Sequence, residues 1–146
     1  MLFRSRALPN EIFVIVGRES PLHPGYKVRL LTEKPENVTY LESEIRACPE
    51  ILEEAKVYLY TGLEPGIGIA LVESIGAGCI PVTPSLGGGG EVLRAAKVGF
   101  QYRSLDEAVT LVRNALHDTT YRPEELRQQA KIFSPEHFET RIRELL

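Results

Sequence analysis

The chain has 146 residues and carries 17 Lys and Arg against 20 Asp and Glu, a formal charge of −3 at pH 7. With 43% hydrophobic and 25% charged residues, it reads as a soluble globular protein long enough to bury a core without staples. This excludes a nucleic-acid binder working through a basic face, and no apolar run approaches the roughly 18 to 20 residues of a membrane span.

The N-terminal segment MLFRSRALPNE is too short in apolar residues for a signal sequence. Cys48 and Cys79 form neither a disulfide framework nor a metal-ligand spacing, so a reducing, cytoplasmic location is expected. The first predicted element is Ile12–Val16, IFVIV, closed by Gly17. A β-branched run ended by glycine suits a strand buried on both faces. Gly25–Thr32 is a helix candidate that completes a first crossover. Further strand runs follow at Val38–Leu41, Val57–Tyr60, Ile80–Thr83 and Val98–Tyr102. Between them, Pro49–Ala55 opens with proline in a first turn, and Ile69–Ala77 is apolar around most of its circumference.

After the last strand the pattern is helical. Ser104-Leu-Asp-Glu107 is a capping box for a helix over Asp106–Leu116, with Ala108, Val109, Leu111, Val112, Ala115 and Leu116 on one side. Pro123–Phe133 follows, then Pro135–Leu146 behind Ser134 as N-cap, with Phe138, Ile142 and Leu145 as its apolar stripe. Strands alternating with helices predict one α/β domain over residues 1–146: a Rossmann-like parallel sheet flanked by helices, with a helical C-terminal end.

Glycine marks the functional candidate. Nine of the 12 glycines fall between Gly62 and Gly90, and Thr61–Leu93 contains no Lys or Arg but three carboxylates, Glu64, Glu73 and Glu91. The loop before Ile69–Ala77 follows a strand end, where parallel sheets bind ligands. Gly66 and Gly68 allow close backbone approach, and free N–H groups around Gly68 to Ala70 suit an anion such as a diphosphate. A plain tight turn at Pro65-Gly66 explains the same residues. Glu73 lies among apolar neighbours with nothing basic nearby in sequence. It suits either vicinal ribose hydroxyls or a structural role bonded to backbone amides or a distant Arg. Ser85-Leu-Gly-Gly-Gly-Gly-Glu91 is a loop feeding a helix, and it lacks the Lys-Ser/Thr of a P-loop. It reads as a flexible connector or as a close backbone approach to ligand. His23, His117 and His137 show no metal spacing and no nucleophile partner.

Taken together, Glu64-Pro-Gly-Ile-Gly-Ile-Ala-Leu-Val-Glu73, the following Gly-Ala-Gly-Cys-Ile-Pro-Val82, and Gly87-Gly88 with Glu91 resemble the C-terminal donor-binding half of group 1 (family 4) GT-B glycosyltransferases. Phe13–Gly17, Asn37–Leu41, Ala55–Leu59, Val98–Phe100 and Phe133-Ser134 fall in the family's order, so the resemblance covers nearly the whole chain. It implies a retaining sugar transfer of hexosyltransferase type from a nucleotide-diphosphate sugar, with no cofactor and no metal. Glu64 would face the transferred sugar near the reacting centre, as the catalytic residue. Backbone amides of Gly66, Ile67, Gly68 and Ile69 would touch sugar and diphosphate, and Glu73 would bind the ribose. Gly87 and Gly88 would shape the loop beside the donor, with Glu91 ordering it.

There are two departures from the family. Eight residues rather than seven separate Glu64 from Glu73. The family's basic Arg and Lys lie ahead of the first strand, and Arg4 and Arg6 are expected to be solvated surface residues instead. The resemblance also implies an N-terminal acceptor-binding domain absent from these residues, in the same gene or on a separate subunit, which would carry any membrane contact. The isolated chain is then expected to be inactive. The alternatives are a non-catalytic nucleotide-sugar binding module or the donor subunit of a split glycosyltransferase.

Overall fold

The computed structural model describes residues 2–19, 21–42, 49–62, 66 and 68–146. The chain divides into two compact units, Met1–Cys48 and Pro49–Leu146.

In the first unit, α1 (Leu2–Arg6) precedes β1 (Phe13–Gly17), α2 (Tyr26–Glu33) and β2 (Val38–Glu42). The two strands pair in parallel from Phe13 opposite Val38 to Gly17 opposite Glu42. An intervening helix makes this pairing possible, since parallel neighbours need a crossover. The expectation that the first strand is buried on both faces is overturned. Its burial alternates, and Val14 and Val16 are 40% and 36% exposed, as in a strand covered on one side. Helix α1 has no periodic signal in the sequence, and its consequence is a second correction: Arg4 is buried, at 6% exposure, instead of lying on a solvated face. Arg6 is exposed, as expected, and donates from Nη2 to the Glu33 carbonyl at 2.7 Å. The Asn37 amide nitrogen ties the segment after α1 to the start of β2. It lies 3.1, 2.9 and 2.8 Å from the carbonyl oxygens of Ser5, Leu8 and Glu11.

The second unit begins with α3 (Pro49–Glu54) and β3 (Val57–Leu59), followed by α4 (Ile69–Ala77), β4 (Ile80–Pro84), α5 (Gly88–Ala96) and β5 (Phe100–Tyr102). Then come α6 (Leu105–His117), α7 (Pro123–Ala130), a 3₁₀ turn (Lys131–Phe133) and α8 (Pro135–Leu145). The sheet order is β3-β4-β5, parallel throughout. Every residue of the central strand β4 is buried, which is what an uninterrupted apolar run with neighbours on both sides predicts. Leu71 and Ile75 of α4, Ala108, Val112 and Ala115 of α6, and Leu126 of α7 are all buried with it.

The capping box forms with one shift. Ser104 Oγ accepts from the Glu107 N–H at 3.1 Å, while Glu107 Oε2 accepts from Arg103 N–H at 2.7 Å, one residue earlier than in the usual reciprocal pair. Ser134 caps α8 by accepting from His137 N–H at 3.2 Å. The helix expected over Pro123–Phe133 closes as a tighter 3₁₀ turn after Ala130. The apolar stripe of α8 is present but uncovered: Phe138, Ile142 and Leu145 are 67%, 42% and 79% exposed. Among the described residues, no helix is long and apolar enough to cross a membrane.

Candidate functional site

Because β3, β4 and β5 run in the same direction, their C-terminal ends share one edge of the sheet. The chain leaving β3 enters α4, and the chain leaving β4 enters α5, so both helix N-termini arise at that edge. Helices α4 and α5 both pack on β4. Their first turns leave backbone N–H groups without intrahelical partners, and neither N-cap residue, Gly68 or Gly87, supplies a side-chain cap.

The α5 start is built by its glycines. Gly87 has φ +83° and ψ −179°, a combination open essentially to glycine alone. Gly88, Gly89 and Gly90 are buried in the first turn, and Glu91 follows exposed to solvent. A carboxylate in a first turn complements the helix dipole.

Glu73 lies on α4 between a buried face (Leu71, Ser74, Ile75) and exposed Gly76, and is itself half-buried. Its Oε2 is buried and has no hydrogen-bond partner among the described residues. Such an acceptor carries a desolvation cost unless something bonds to it. Tyr58 of β3 lies close enough to feel its charge. Burial pushes the Tyr58 phenol above its ordinary range, and the Tyr60, Glu73 and Cys79 charges add to the rise. Cys79, buried just before β4, is pushed up to about 11 by the same loss of solvation, with Arg127 acting against it.

Of the residues singled out in the sequence, Gly68, Ile69, Gly87, Gly88 and Glu91 lie at the starts of α4 and α5 at this edge, Glu73 lies one turn further along α4, and Gly66 is an exposed bend before α4. Glu64 and Ile67 lie outside the described residues, as does Cys48. The Ile69 side chain turns away toward a groove of about 430 Å³, lined with Val72, Ile132, Phe133 and Phe138. Only its backbone is left to serve a ligand beside Gly68. Sequence reasoning missed Tyr58 and Tyr60. The available signal was a pair of aromatics two residues apart at a strand end, directly before a glycine turn. No group of three or more His, Cys, Asp or Glu among the described residues could hold a metal ion.

The chain matches the family model described as glycosyl transferases group 1 over residues 2–133. Solved structures with the same fold include WaaG, a glycosyltransferase involved in lipopolysaccharide biosynthesis, at TM-score 0.64 and 22% identity, covering 84% of this chain and 34% of that one. A GtfA/B complex matches at TM-score 0.68 and 16% identity, over 99% of this chain and 31% of that one. AviGT4, a glycosyltransferase involved in avilamycin A biosynthesis, matches at TM-score 0.62 and 17% identity, over 99% and 47%. The present chain therefore spans between about a third and a half of the length of these structures. No curated protein matches it in sequence. The fold is the α/β, Rossmann-like one of the C-terminal half of GT-B glycosyltransferases.

Proposed function

The chain belongs to the group 1 glycosyl transferases, and from that premise we propose that it binds the nucleotide-diphosphate sugar donor of a retaining transferase. The observation that carries the proposal is the Glu73 carboxylate. It is half-buried on α4, the helix that follows the end of β3, with Oε2 unpaired among the described residues. An acceptor left in that state fits a ligand bearing adjacent hydroxyl donors, and the ribose of a nucleotide is one.

In this reading Glu73 accepts from the ribose hydroxyls, and the backbone N–H groups of Gly66, Ile67, Gly68 and Ile69 meet the sugar and diphosphate. Gly87 and Gly88 hold the second loop against the donor, and Glu91 stabilises the helix start that follows. Glu64 is assigned to the transferred sugar on family resemblance alone. The chemistry asked of these groups is positioning and stabilisation of the departing diphosphate, with no resident metal. Acceptor binding, and any membrane contact, belongs to a further domain or a separate subunit. The second possibility has support in that one similar structure is of a complex, GtfA/B. A cytoplasmic site of action fits a nucleotide-sugar donor.

The test is titration of the 146-residue chain with UDP, GDP and ADP, followed by thermal shift or amide resonances. At least one nucleotide is expected to stabilise the chain selectively, and Glu73→Ala to weaken the response more than Glu91→Ala. Absence of any response, or equal losses in both variants, overturns the ribose assignment. Rapid turnover of a nucleotide sugar by this chain alone contradicts the assignment of acceptor binding elsewhere.

A further inference from the structure

The glycines around the crevice are occupied by a side chain of the protein itself. A Cβ at Gly68 would lie 2.9 Å from the Tyr60 ring at Cε2, one at Gly89 would lie 2.9 Å from Cδ1, and one at Gly62 would lie 2.6 Å from the hydroxyl oxygen. These are closer than side-chain carbons approach one another. The ring therefore has Gly68, the cap residue of α4, at one edge, and Gly89, in the first turn of α5, at the other. The backbone from which it projects is held on both sides. Tyr60 N–H donates to Val82 O at 2.9 Å, and the Tyr102 hydroxyl donates to Tyr60 O at 3.1 Å. Thr83 closes the floor beneath Gly89, whose Cβ would meet the Thr83 Cβ at 3.4 Å.

We propose that Tyr60 is a positioning residue for the donor: its ring is the spacer that sets the separation of the α4 and α5 N-termini, and so the width of the crevice between the two glycine loops. The inference rests on the donor reading above, since it assigns ligand contacts to backbone N–H groups on both sides of that ring. It also changes the reason for three glycines. Gly62, Gly68 and Gly89 lack a side chain so that Tyr60 fits, which leaves their backbone N–H groups as the part a ligand could meet.

The experiment compares binding of UDP, GDP and ADP by calorimetry in wild type, Tyr60→Phe, Tyr60→Ala, Gly89→Ala and the Tyr60→Ala/Gly89→Ala pair, each well below its melting temperature. Tyr60→Phe keeps the ring and is expected to bind like wild type. Tyr60→Ala is expected to lose affinity on the order of tenfold, the scale on which small misplacements of binding groups act. Gly89→Ala is expected to weaken binding in the wild-type background and to have little further effect once the ring is gone, because the contact then left, Thr83 Cβ at 3.4 Å, is an ordinary one. Wild type that binds none of the three nucleotides overturns the donor reading itself. Wild type that binds, with Tyr60→Ala binding equally or Gly89→Ala costing the same in both backgrounds, overturns this proposal alone. If Tyr60→Ala does not fold, Tyr60→Leu replaces it, and a folded Gly89→Ala with unchanged affinity is by itself sufficient refutation.

Discussion

Glu73→Met separates what Glu73 does for folding from what it does for the donor. In the wild type one carboxylate oxygen is buried on α4 without a hydrogen-bond partner among the described residues. An unsatisfied buried acceptor costs about 1–3 kcal/mol. Because the residue is only half-buried, the lower end applies, about 1 kcal/mol. Methionine has nearly the same length and helix propensity as glutamate and carries no charge, so the variant without ligand is expected to melt higher, by roughly 4 °C for a domain of this size. Nucleotide should have the opposite effect. Hydrogen bonds to a charged group contribute about 1.5–3 kcal/mol each, and loss of two implies at least a hundredfold weaker binding. At a nucleotide concentration of about 100 times the wild-type Kd, wild type gains about 2.7 kcal/mol, and a variant weakened hundredfold gains only about 0.4 kcal/mol. Differential scanning fluorimetry with and without nucleotide reads both numbers from the same samples. A variant that melts lower than wild type without ligand refutes the idea of an unpaired carboxylate. A variant whose nucleotide shift equals that of wild type refutes the ribose contact.

Two further outcomes follow from the second unit. The Cys79 thiol is held protonated to about pH 11 by burial, whereas an exposed thiol ionises near pH 8.5. The unfolded state therefore releases its proton first as pH rises. Stability is whole below about pH 8.5 and declines through pH 11 by about 3 kcal/mol, a contribution that urea melts of Cys79→Ala should lack; identical slopes contradict the assignment. Gly87→Ala places a side chain at φ +83° and is expected to cost about 1–3 kcal/mol in chemical denaturation. A change under about 0.5 kcal/mol means that α5 starts without that conformation.

What the sequence made legible is what depends on local pattern. Ile69–Ala77 is helical over the residues its composition indicates, and Ser104 and Ser134 cap the helices they were expected to cap. The βα alternation also led to parallel strands. The failures came where tertiary surroundings decide. IFVIV contains no polar alternation, so nothing in it distinguishes a strand covered on both faces from one covered on one. Arg4 looked like a surface cation because a short helix of five residues has no periodicity to reveal which side turns inward. The α8 stripe was visible, but its pattern cannot say what, if anything, lies on it. Tyr60 escaped notice for a different reason. A glycine-rich segment invites the idea of a ligand, and sequence carries no sign that an aromatic ring two to twenty-nine residues away fills the same space.

On the donor reading, the charge balance of the crevice is the remaining question. Residues Thr61–Leu93 contain no Lys or Arg, so what this stretch itself offers in positive potential is the N-termini of α4 and α5. Each is equivalent to about half an elementary charge, and together they offset about half of the roughly −2 carried by a diphosphate esterified at both ends. Arg94 is the first basic residue beyond that stretch, but its guanidinium is turned to Gln101 Oε1 at 3.4 Å, and Gln101 in turn donates to Gly90 O at 3.1 Å. That arrangement sets the guanidinium beside the α5 start, where it is exposed to solvent. Backbone dipoles can fix where a diphosphate lies without cancelling its charge, and cancelling that charge is what a leaving group requires. Glu73 and the two helix starts can therefore recognise and orient a donor, while departure of the diphosphate needs cations from outside this segment. Binding and turnover are then separable properties of this chain.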